Sequence, residues 1–161
     1  MNIYETAMQI EKEGERVYRQ LSEKTTDKGL KSIYDLLAEN EVKHYDAFRM
    51  MNEGAPVELV PTNIVGDVKA IFEKMRQAAA AYSEATPLED VYKKAMEGEA
   101  KSVAFYQDLL NRTEDSDYRE AIEVIIEEEK RHVGLLHNMI EFLEQPKLWL
   151  ENAEFNHMQS Y

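Results

Sequence analysis

Cysteine is absent from the 161 residues. Disulfides, iron–sulfur clusters and thiolate zinc sites are thereby excluded, and any metal has to be held by oxygen and imidazole. Proline is scarce at 4 residues, and Pro56, Pro61, Pro87 and Pro146 all fall between long periodic stretches, where they punctuate helices without breaking them. Also missing is any apolar run of the length that crosses a bilayer. The opening stretch MNIYETAMQI has neither the basic start nor the apolar block of a secretory signal, so a cytoplasmic location is expected. Positive charge is in short supply: 19 Lys and Arg stand against 32 Asp and Glu, a net charge of −13. The cations are dispersed along the chain, so neither nucleic acid nor an anionic membrane surface is an expected partner.

What is present suits one sizeable core, since hydrophobic residues make up 43% and charged residues 32%. The chain also repeats itself. Ala95-Met96-Glu97-Gly98-Glu99 through Tyr106-Gln107-Asp108-Leu109 echoes Ala7-Met8-Gln9-Ile10-Glu11 through Tyr18-Arg19-Gln20-Leu21, and Glu129-Lys130-Arg131-His132 echoes Glu41-Val42-Lys43-His44. Both segments share one offset, which marks a duplicated helix pair.

Helical periodicity defines four long segments. The first runs from about Ile3 to Lys24, with Ile3, Ala7, Ile10, Gly14, Val17, Tyr18 and Leu21 on one stripe. The second starts near Asp27 and carries Ile33, Leu37, Phe48 and Met51. A third is announced by Thr86-Pro87-Leu88-Glu89, with Thr at the N-cap, Pro at the first helical position and Glu at the third. The fourth follows the polar cluster Thr113 to Asp117, with Ile122, Ile125, Leu136 and Met139 inward. Short links predict two antiparallel hairpins. Between them, Met51 to Ala85 opens with Gly54, Pro56 and Pro61 and then reads as an amphipathic helix through Val68, Ile71, Phe72, Met75 and Tyr82. The expected fold is all-α: a four-helix bundle of two hairpins joined by a long crossover with its own helix, the ferritin-like connectivity. The bundle is expected over residues 1–145, and the tail 146–161 as a short capping helix.

Six ionisable residues sit where such a bundle expects leucine. Glu11 lies four residues after Ala7 and seven before Tyr18; Glu41 lies four after Leu37, and His44 four before Phe48. Glu99 lies four after Ala95, Glu129 four after Ile125, and His132 four before Leu136. Burying four unpaired carboxylates carries several kcal/mol of desolvation per ion. Two divalent cations would neutralise them, and the i, i+3 spacing of Glu and His places both on one helix face. Two single glutamates plus two Glu-x-x-His pairs is the known pattern of di-metal sites in helix bundles. A lone inward histidine is more often a hydrogen-bonded core residue, but six in register on apolar stripes outweigh that reading. Glu13, Glu15, Glu39, Glu127 and Glu128 fall off the stripes and are read as surface residues. Tyr18 and Tyr106, two turns beyond Glu11 and Glu99, suit either hydrogen bonds to carboxylates of the opposite hairpin or plain core packing. A third Glu-x-x-His, Glu154 and His157 beside Trp149 and Phe155, is read as part of the cap. His137 has no evident partner.

At these residues the chain resembles the rubrerythrin and ferritin-like superfamily, specifically short rubrerythrin-like proteins lacking the rubredoxin domain, over about Ile3 to Leu143. The resemblance implies two iron ions, with manganese or zinc as other occupants. Glu11 and Glu99 would be the terminal carboxylates and Glu41 and Glu129 the bridging ones, while His44 and His132 each cap one metal. It further implies a redox protein in oxidative-stress defence, with Glu41, Glu129, Tyr18 and Tyr106 as its catalytic residues. Such a protein reduces hydrogen peroxide or dioxygen with electrons from an external, rubredoxin-like donor, and forms a homodimer or larger homo-oligomer. The rivals are a ferroxidase that stores iron and a helical interaction module without chemistry. One departure stands out: rubrerythrins carry a further Glu one turn beyond the helix-C ligand, where this chain has Ser102, and its repeat mate is Gly14.

Overall fold

The structure, a computed structural model, describes residues 1–77 and 89–144. Among the described residues there are five helices: α1 (Ile3–Lys24), α2 (Lys28–Asn52), α3 (Ile64–Gln77), α4 (Glu89–Arg112) and α5 (Ser116–Glu144). There is no strand among the described residues. The described residues are thus all-helical, as the periodicity predicts, and the first helix has the expected bounds. Thr86, Pro87 and Leu88 of the third helix's start signal lie outside the described residues. So do Tyr82, the tail 146–161 and with it Glu154 and His157.

Local chemistry explains the helix ends. Asn2 accepts from the Glu5 amide at 2.9 Å while the Glu5 carboxylate accepts from the Asn2 amide, a reciprocal cap that satisfies donors left over at the start of α1. Asp27 caps α2 by accepting from the Leu30 amide at 2.9 Å. At the far end of α2, Gly54 takes φ +70°, a left-handed turn open to glycine. That turn lets the Ala55 amide donate to the Met50 carbonyl at 2.9 Å and ends the helix. Arg119 plays the same part for α4, donating to the carbonyls of Leu110 and Thr113 at 2.6 and 2.9 Å.

The α1–α2 and α4–α5 hairpins are antiparallel, and their inward stripes form two separate apolar clusters. One gathers Ala7, Phe48, Met51, Tyr106, Leu109, Ile122 and Ile125. The other gathers Leu21, Ile33, Leu37, Val68, Phe72, Tyr92, Leu136 and Phe142. Between them, in sequence order on every one of the four long helices, lies the layer that holds Glu11, Glu41, His44, Glu99, Glu129 and His132. The crossover runs past this layer: Val57 packs in the first cluster, and Ile64, Val68 and Phe72 pack in the second. A connection of this length lets the second hairpin run back alongside the first.

Candidate metal centre

All six residues predicted on the inward stripes are buried, with exposures of 0–5%. They form two overlapping groups whose ligand atoms lie within 4.8 Å of one another: Glu11, Glu41, His44 and Glu129, and Glu41, Glu99, Glu129 and His132. Glu41 and Glu129 belong to both groups. The duplicated hairpins therefore meet as two near-equivalent halves. His44 Nδ1 on α2 faces Glu129 Oε1 on α5 at 2.7 Å, and His132 Nδ1 on α5 faces Glu41 Oε1 on α2 at 3.0 Å. The two imidazole rings stand 6.1 Å apart and nearly parallel.

Tyrosines brace the carboxylates from the opposite hairpin. Tyr18 donates to Glu99 Oε1 at 2.7 Å, and Tyr106 donates to Glu11 Oε1 at 2.7 Å. Of the two readings open for this pair, the hydrogen-bonded one is what the structure contains. Burial, reinforced by the neighbouring carboxylates, pushes both phenols well above their ordinary pKa, so they remain donors.

One surface assignment fails: Glu128 is buried, contrary to expectation, and it is part of the site. Its Oε1 accepts from His44 Nε2 at 2.9 Å. Its Oε2 accepts from the Thr62 amide at 2.8 Å and the Thr62 hydroxyl at 2.6 Å. Burial pushes its pKa up, but the bonds from His44 and Thr62 win and hold it at about 2. The matching place on the other hairpin is Asn40, whose Oδ1 accepts from His132 Nε2 at 2.6 Å. With Nε2 donating outward on both rings, Nδ1 is the nitrogen left for the interior. The helical stripe did not reveal Asn40 and Glu128, because both lie at its edge. The repeat could have done so, since they stand 88 residues apart, each directly before a Glu-x-x-His. His137, also without an assignment, is exposed and pairs with Glu141 one turn on at 3.5 Å.

Electrostatically the cluster is divided. Burial and the charges of Glu11 and its neighbours push Glu41 and Glu129 well above the usual carboxylate range. Glu99 is held at about 2: burial opposes this, but the His132 charge and the protonated Glu129 carboxyl outweigh it. Glu11 is lowered too, with Glu41 and His44 overcoming its burial. The two carboxyls common to both groups are thus the ones whose protonated form the cluster favours. Glu11 Oε2, Glu41 Oε1 and Glu99 Oε2 are buried with no hydrogen-bond partner. Orphaned carboxylate oxygens converging with imidazole nitrogens are what hard or borderline divalent ions bind, so the residues fit a pair of metals.

A cavity of about 850 Å³ between α1 and α4 reaches this layer, with Glu41, Glu99, Gly14 and Ser102 among its lining residues. Gly14 is there for room: a Cβ at this position would stand 2.5 Å from Glu41 Oε2. Ser102 turns back on its own helix, donating to the Gly98 carbonyl at 2.9 Å. Gly14→Ala should therefore displace the Glu41 carboxylate and weaken metal binding at least tenfold. Gly98→Ala, where a Cβ meets nothing within 4 Å, should leave metal binding alone and raise stability by about 0.5–1 kcal/mol. Calorimetric metal titration and thermal melts on the two variants check the contrast.

The architecture and this buried layer define a ferritin-like helical bundle whose core is interrupted by carboxylates and imidazoles suited to holding metal. The sequence profile of the rubrerythrin family matches residues 2–140, and the chain belongs to that family, one of di-iron carboxylate proteins. Comparison with curated proteins and with solved structures finds no match. No helix among the described residues is long and apolar enough to cross a membrane.

Proposed function

We propose that this protein is a di-iron oxidoreductase that reduces hydrogen peroxide in preference to dioxygen, drawing electrons from a separate, rubredoxin-like donor. The observation that carries the reading is the cavity between α1 and α4, which brings small molecules to the Glu41 and Glu99 side of a six-ligand cluster. Glu11, Glu41, His44 and Glu129 would hold one iron, and Glu41, Glu99, Glu129 and His132 the other, with Glu41 and Glu129 shared. A bound pair of irons would supply two electrons, which with two protons would reduce one peroxide to two waters.

The chain's own residues set the conditions. Apolar clusters on both sides of the layer exclude bulk water, which strengthens every charge interaction inside it. Tyr18 and Tyr106 hold Glu99 and Glu11 in place by donating to one oxygen of each and leaving the other free. Neither tyrosine gives up its proton near neutral pH, so their part is orientation.

Stopped-flow oxidation of the diferrous protein by peroxide and by dioxygen, at matched concentrations, tests the reading. Peroxide should react at least tenfold faster. A faster reaction with dioxygen, together with iron turnover beyond two per chain, makes the protein a ferroxidase instead. Ser102→Glu places a carboxylate in the cavity beside Glu99 and should change the peroxide rate; an unchanged rate means that the cavity is not the route in.

A further inference from the structure

We propose that Glu128 and Asn40 make the two metal positions unequal, so that the position served by His44 fills first and holds its ion more tightly than the position served by His132. The inference rests on the paired site described above and concerns the order in which it is built. Every other member of the cluster has a counterpart across the repeat: Glu11 with Glu99, Glu41 with Glu129, Tyr106 with Tyr18. The acceptors behind the two histidines do not match in charge. His44 Nε2 donates to a carboxylate at 2.9 Å, and His132 Nε2 donates to a neutral amide oxygen at 2.6 Å. An anionic acceptor draws the Nε2 proton outward and raises the electron density that Nδ1 offers a metal. A neutral amide does so less.

The fold also explains why the inequality persists in a duplicated site. Asn40 Nδ2 donates to Glu128 Oε1 at 3.4 Å, so the two outer residues touch. A second carboxylate at position 40 would meet the first at that distance, and like charges so close and so buried repel strongly. The crossover settles which side is charged. Its Thr62 gives both an amide and a hydroxyl to Glu128 Oε2. Those donors offset the burial of one carboxylate, and among the described residues no backbone amide or hydroxyl reaches Asn40 in the same way. Glu128 and Asn40 are thus positioning residues that act on the metals through the histidines.

Anaerobic titration of the intact, metal-stripped chain with Co(II) tests this, by calorimetry for the two binding constants and by proton NMR at one equivalent for the hyperfine-shifted Nε2–H. One strongly shifted exchangeable signal is expected at one equivalent, present in His132→Ala and absent in His44→Ala. The first binding constant should survive His132→Ala within about threefold but fall at least tenfold in His44→Ala, which removes a ligand, where loss of an outer partner alone costs about ten- to a hundredfold. Glu128→Gln should lower the first constant by a similar factor and leave the second nearly unchanged. Equal losses in the two histidine variants, or a first constant unmoved by Glu128→Gln, overturn the proposal even where two ions bind. If Glu128→Gln does not fold, the histidine pair still decides. A chain that takes up no second ion overturns the paired site and this inference with it. Reaction rates with peroxide bear on neither outcome, because Co(II) is used without an oxidant.

Discussion

Alanine at Glu129 should cost the cluster both metals, whereas alanine at Glu11 should cost it one. Glu129 and Glu41 belong to both ligand groups, while Glu11 and Glu99 each belong to a single group. An ion present at a hundred times its dissociation constant stabilises the folded chain by about 2.7 kcal/mol per site. In a domain of this size each kcal/mol raises the melting temperature by about 2–4 °C. Saturating Mn(II) should accordingly raise the melting temperature of the wild-type protein by about 10–20 °C. Glu11→Ala should keep roughly half of that gain, and Glu129→Ala and Glu41→Ala almost none. Melts with and without metal, alongside metal analysis of each variant, check the ranking. Equal losses for Glu11→Ala and Glu129→Ala would mean that no carboxylate is shared.

Stripped of metal, the protein should melt lower at pH 8 than at pH 5.5. The folded-state pKa values of Glu41 and Glu129 are raised by burial and by the carboxylates around them. That of His44 is raised as well: burial lowers it, but the Glu11 charge and the hydrogen bonds to Glu128 and Glu129 prevail. A group whose pKa is raised by folding adds stability that is complete below its unfolded pKa and lost as pH climbs through the folded one. All three therefore lose their contribution on the way up. Glu99 and Glu128 act in the opposite sense, but their folded values lie at about 2. Their contribution is present above the ordinary carboxylate range and lost only in strong acid, so it does not shape the interval from pH 5.5 to 8. Bound metal should reverse the trend, because it displaces protons from the carboxyls and favours the deprotonated ligands. Melting curves at constant ionic strength in the two states are the measurement; a flat metal-free profile would mean that the carboxyls are not crowded.

The inward ligands were legible because they break a pattern twice at one spacing. A glutamate on an apolar stripe is an anomaly, and its recurrence in the second hairpin turns the anomaly into a site. Gly14 is legible in the same way: it is a small residue on an inward stripe, and it leaves space for the Glu41 carboxylate. Glu128 was not, because helical periodicity reports which face points at the bundle axis and says nothing of what covers the flank. The flank of α5 at Glu128 is closed by Thr62, a contact between residues 66 apart that depends on the path of the crossover. Periodicity of a single helix carries no information on that path. The fold class, by contrast, follows from stripes that keep one phase through each helix and from the short links between them, and the caps at Asn2 and Asp27 and the left-handed Gly54 found in the structure agree with it.

Anaerobic addition of Fe(II) to the metal-free chain, with bound iron measured after removal of the excess, tests the paired centre most directly. About two irons per chain is the expected result, with both lost together in Glu129→Ala. One iron per chain at saturation, or none, would contradict a two-metal site built from Glu11, Glu41, His44, Glu99, Glu129 and His132.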